Sequence, residues 1–138
     1  MVRITLTIKD LHRIIYLHRQ IERDCEQLYA LRDMAEGTSS KPTDNLRVQT
    51  SLPTGGNKFA DAAADLGEII EEEVQELTQL KAKVRKFVDN LDVSVDTRII
   101  EMRYISCYDW QEIAELLGYA ERHIFRIHNK LIADLPKE

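Results

Sequence analysis

The chain has 138 residues, 43% of them hydrophobic and 31% charged, with a net charge of −5, which is too apolar for a disordered chain and too charged for a membrane protein. No apolar run approaches the roughly 18 residues that span a bilayer, and the opening MVRITLTIKD lacks the pattern of a signal peptide, so a cytoplasmic protein is expected. With no glycine-rich phosphate loop, no nucleophile beside a base, and no i, i+4 pair among His12, His18, His123 and His128, neither an enzyme nor a metal or other cofactor site is expected.

The first segment, about Thr7 to Glu36, reads as one long helix that opens on the capping box Thr7-x-x-Asp10 and stops at Gly37. Ile14, Ile21, Leu28 and Ala35 recur every seven residues with Leu17 and Leu31 between them, a narrow coiled-coil stripe interrupted at Asp24. From residue 37 to 57 the composition turns to Gly, Ser, Thr, Pro and Asn, which reads as a flexible connector. A second long helix, about Lys58 to Leu91, carries Ala63, Ile70, Leu77, Val84 and Leu91 with Leu66, Leu80 and Phe87, interrupted at Glu73. Neither stripe is stable in water alone, so the two helices are expected to fold back as an antiparallel hairpin.

Two carboxylates buried in one layer would be costly, so the seam is expected to drift, turning Cys25 and Val74 inward and Asp24 and Glu73 out to solvent. The alternative is a polar layer that sets register or binds a cation. The run EIIEEEVQEL reads as a solvated helix face, with its charges interleaved among Ile69, Ile70, Val74 and Leu77. Cys25 and Cys107, the only cysteines, read as reduced thiols packed as small apolar groups.

Beyond Leu91 the pattern shortens, with Ser94 or Asp96 as a cap and one helix to about Tyr104. The stretch from Asp109 to Leu131 then has the marks of a helix-turn-helix: a capping box at Asp109 and Glu112, a buried face of Ile113, Ala114, Leu116 and Leu117, and Gly118 at the turn. On the following helix Ile124, Ile127 and Leu131 point inward. Glu121, Arg122, Phe125, Arg126, Asn129 and Lys130 are left as the candidate contacts to double-stranded DNA. The acidic total opposes DNA binding, but Arg122, Arg126 and Lys130 gather locally while the acids concentrate at Glu68 to Glu76. Trp110, Tyr104 and Tyr108 read as core and rim packing, and His123 and His128 as surface or core-edge residues without chemistry.

The stretch RIIEMRYISCYDWQEIAELLGYAERHIFRIHNKLIADL resembles region 4 of sigma-70 type factors, with an arginine-tyrosine pair before the motif, an EIA core and a recognition helix. Trp110 to Ala114, Gly118 to Ala120 and Arg126 to His128 also make the chain similar to small prophage-encoded regulators of the ArpU and RinA-like group. The resemblance implies a phage transcription regulator, with RNA polymerase as a further partner. Ala120 stands where many of those relatives have Ser or Thr, which removes a cap from the recognition helix.

The expected architecture is therefore all-α: a helical hairpin over residues 1–91 and a small helix-turn-helix domain over 92–138. A homodimer or higher oligomer through the hairpin would supply the affinity that one small motif lacks. Two other functions fit the same outline: a DNA-packaging protein like a phage terminase small subunit, and a polymerase- or protein-interaction module without direct DNA readout.

Overall fold

The computed structural model describes residues 5–37, 57–92 and 96–138, and all regular structure among them is helical. The connector between Gly37 and Asn57, and Ser94, lie outside the described residues. Helix α1 spans Ile8–Ala35 and α2 spans Lys58–Asp89. Helix α3 begins as Arg98–Ile100 and runs on as a π-helix, Glu101–Ile105. Helices α4 (Trp110–Leu117) and α5 (Glu121–Leu131) follow. The chain divides into two compact units, one of residues 1–18 with 75–138 and one of residues 19–74.

In the first unit the N-terminus of α1 is fully capped. Thr7 Oγ1 accepts from Asp10 N at 3.0 Å and Asp10 Oδ2 accepts from Thr7 N at 3.2 Å, the two halves of the expected box. The remaining first-turn donors are taken by the C-terminal tail: Ile8 N donates to Pro136 O at 2.8 Å and Lys9 N to Lys137 O at 3.1 Å. Arg13 pairs with Glu76 at 2.7 Å and Lys83 with Asp10 at 3.3 Å, so the two long helices run antiparallel, as expected. Between them Leu11, Ile14, Leu17, Leu77, Leu80 and Val84 are buried.

In the second unit the hairpin closes through Asn57. Its Oδ1 accepts from Phe59 N at 2.9 Å and Ala60 N at 3.2 Å, while its Nδ2 donates to Ala35 O at 2.7 Å. One side chain thus caps the start of α2 and the end of α1. Gly37 leaves α1 at φ +70, the left-handed conformation that suits a residue without Cβ.

The seam of this unit does not drift. Asp24 is buried, while Cys25 and Val74 are exposed, the reverse of the expected arrangement. Asp24 keeps its place in the heptad, and Gln20 Nε2 donates to its Oδ1 at 3.5 Å. Glu73 is half-buried. Asp24 follows seven residues after the buried Leu17, so keeping that stripe inward holds it in the seam. In the acidic run, Ile69 is exposed with Val74, and only Leu77 of its apolar residues is fully buried.

Cys107 is free and half-buried, and it takes φ 61 in the turn between α3 and α4, a conformation uncommon for a residue with a Cβ. No helix among the described residues is long and apolar enough to cross a membrane.

Candidate nucleic-acid interface

Helices α4 and α5 are built around a small apolar core of Ile99, Ile113, Ala114 and Ile124, ringed by Met102, Trp110, Leu117, Tyr119 and Ile127. Local chemistry sets their ends. Asp109 Oδ1 accepts from Glu112 N at 2.8 Å and Glu112 Oε1 from Asp109 N at 3.0 Å, completing the expected capping box. Gly118 follows at φ 73, with its N–H donating to Ala114 O at 2.8 Å. Nothing lies within 4 Å of a Cβ built at Gly118, so backbone conformation and not crowding calls for glycine.

The buried arc of α4 is narrower than the sequence suggested. Trp110, Ile113, Ala114 and Leu117, at the i, i+3, i+4, i+7 spacing, face the core, whereas Leu116 is 61% exposed. Leu116 lies off that arc, uncovered among the described residues.

All six candidate contacts on α5, Glu121, Arg122, Phe125, Arg126, Asn129 and Lys130, are exposed. On the opposite side Ile124 is buried, and Ile127 and Leu131 are half-buried. The helix therefore separates into a core face and a face on which three cationic side chains are displayed, as the reading from spacing required. Phe125 is only partly free, since its ring meets Trp110 edge-on at 5.0 Å.

Ala120 enters α5 in an extended conformation and makes no side-chain cap. Ala120→Ser should raise the stability of this motif by about 1 kcal/mol by capping the first-turn N–H groups. An unchanged thermal midpoint would show that those groups are already satisfied.

His128 was missed by the sequence reading and is the main polar element of the interior. It is buried, with Nε2 2.8 Å from the Tyr104 hydroxyl and Nδ1 3.1 Å from Asn129 Oδ1. Trp110 meets its ring edge-on at 4.8 Å. The signal was available: Ile124, Ile127, His128 and Leu131 keep the i, i+3, i+4, i+7 spacing of one buried stripe. His123, by contrast, is exposed and meets Tyr119 edge-on at 4.9 Å. Arg103 holds the entry to α4, donating from Nη1 to Tyr108 O at 3.0 Å and lying 4.5 Å over the Trp110 ring.

Burial pushes the Tyr104 hydroxyl up to about 12. It pushes the His128 imidazole below its ordinary 6.5, with the bond to Asn129 opposing and the Arg103 charge assisting. The folded state therefore binds fewer protons than the unfolded state just below pH 6.5. Stability is complete above that pH and should fall as the pH drops through it. Glu76 and Asp96, lowered by hydrogen bonds from Arg13 and Arg98, lose their contributions only below their own ordinary values of 4.5 and 3.8. A thermal midpoint flat between pH 5 and pH 7 would contradict the burial of a neutral His128.

Among the described residues no group of three or more His, Cys, Asp or Glu could hold a metal ion. A family model described as ECF sigma factor matches residues 18–132. No curated protein and no solved structure matches the chain.

Proposed function

Because the chain belongs to the ECF sigma factor family, a family of DNA-binding helix-turn-helix regulators, we propose that it is a sequence-specific transcription regulator of phage or prophage genes that reads promoter-proximal DNA through α5. The observation that carries this reading is the division of α5 into two faces. Ile124 is wholly inside, while Arg122, Arg126 and Lys130 stand in solvent on the other side.

Arg122 and Arg126 are one turn apart near the start of the helix, where recognition helices meet base edges, and each can reach guanine or phosphate. Glu121 can accept from cytosine N4, Phe125 offers an apolar contact to a thymine methyl group, and Lys130 suits the phosphate backbone. One motif of this size makes few contacts, so the protein acts as a homodimer or higher oligomer through the hairpin, or together with RNA polymerase. The prophage assignment rests on Trp110 to Ala114, Gly118 to Ala120 and Arg126 to His128, which are similar to the ArpU and RinA-like regulators.

The test is selection of genomic fragments bound by the purified protein, followed by binding of Arg122→Ala and Arg126→Ala at matched salt. Fragments upstream of transcription units are expected. Each variant should bind about fivefold or more weakly, roughly 1 kcal/mol, with an unchanged thermal midpoint because both side chains are exposed. Fragments confined to a packaging site would replace transcription with DNA packaging. Wild-type affinity in both variants would remove α5 from the interface.

A further inference from the structure

A polar chain crosses the interior beneath α5 and ends on its outer face. It runs from the Tyr104 hydroxyl through the His128 ring to the Asn129 amide. At its outer end Asn129 Oδ1, which can only accept, lies 3.1 Å from His128 Nδ1, so Nδ1 donates and Nε2 is left to accept from the Tyr104 hydroxyl 2.8 Å away. With Nε2 accepting, a neutral imidazole carries its proton on Nδ1. That proton is donated to Asn129 Oδ1 at 3.1 Å. The direction of both bonds is thus set by the Asn129 oxygen.

The consequence lies at the exposed end. An asparagine reads adenine by using both halves of its amide, the oxygen accepting from N6 and the nitrogen donating to N7. In Asn129 the oxygen is turned toward the buried ring of His128, while the residue as a whole is exposed. What it presents outward is the amide nitrogen, a pair of donors.

We infer that His128 is a positioning residue that holds Asn129 with its donors outward, making Asn129 a clamp on DNA phosphate oxygens and not a reader of bases. Phosphate oxygens accept only, so a donor-only amide fits them and is indifferent to sequence. This rests on the DNA-binding reading of α5 and specifies what one of its side chains does there. Arg103, Tyr104, Trp110 and Asn129 are the groups that surround the imidazole.

The first measurement needs no DNA. Long-range proton–nitrogen NMR spectra of the full chain at neutral pH should show His128 protonated on Nδ1; protonation on Nε2 overturns the positioning. The second uses a duplex enriched from a random-sequence pool by the wild-type protein, with a panel of its single base-pair variants. Asn129→Ala should weaken binding about threefold to tenfold by the same factor across the panel, since one lost hydrogen bond acts on every sequence alike. A loss concentrated at a single A·T pair overturns the assignment.

The third measurement is the background Tyr104→Phe with His128→Phe, which removes both partners of the buried bond without leaving either one unpaired. There Asn129→Ala should weaken binding no further. The same loss in both backgrounds would show that His128 does not position it. Unchanged binding in both Arg122→Ala and Arg126→Ala would sink the DNA reading itself, and the role of Asn129 with it. The wrong tautomer would sink the positioning alone.

Discussion

Ile124→Ala should cost the helix-turn-helix about 2–5 kcal/mol, the range for truncating a fully buried aliphatic side chain. Ile124 is 0% exposed and clusters with buried Ile99, Ile113 and Ala114. The half-buried ring of Met102, Trp110, Leu117, Tyr119 and Ile127 cannot close over the gap without losing its own contacts with those four. Small domains are stable by only about 5–15 kcal/mol, so this loss is a large share of the total. Trp110, the chain's single tryptophan, sits in that ring and reports directly. Denaturant unfolding followed by its fluorescence should move to a markedly lower midpoint in Ile124→Ala and barely at all in Leu116→Ala, since Leu116 is 61% exposed. Equal midpoints for the two variants would mean that α5 does not pack through Ile124.

Asp24→Leu should act in the opposite direction and stabilise the unit of residues 19–74. Asp24 is 8% exposed within an apolar seam, and Gln20 donates to it at the outer limit of hydrogen-bond distance, 3.5 Å. Replacing a buried, weakly bonded carboxylate by an apolar side chain at a heptad position removes a desolvation cost of about 1–3 kcal/mol. The helical signal in thermal melts should persist to higher temperature. Cys25→Leu is the control: Cys25 is exposed, so no gain is expected. If Cys25→Leu stabilised the protein and Asp24→Leu did not, the seam would be turned by one residue.

Asp24 also shows where reading from sequence went wrong. The heptad count places it in the seam, whereas the rule against burying two carboxylates in one layer turns it out to solvent. The helix instead keeps one stripe inward from Leu17 to Asp24, and the ends of the hairpin are held by bonds outside that stripe. Asn57 ties them by bonding to both helices at once, and no periodicity encodes that bond. Leu116 and His128 are a matched pair of smaller errors. Hydropathy placed the leucine inside and left the histidine at the edge, whereas the arc of each helix that is covered decides both.

What the sequence alone determined were the features whose cause lies within a turn or two of chain. The capping boxes at Thr7 and Asp109, the left-handed stops at Gly37 and Gly118, the uncapped start at Ala120 and the outward face of α5 all depend on residues three to seven positions apart. Local sterics and hydrogen bonding settle such features before any tertiary contact forms. Only the tertiary structure decided the depth of Asp24, the exposure of Leu116, the polar chain from Tyr104 to Asn129, and the capping of α1 by Pro136 and Lys137. Each of these depends on which distant segment covers a given surface. A sequence pattern marks a face as apolar or polar, but burial and hydrogen-bond partners are properties of two surfaces brought together.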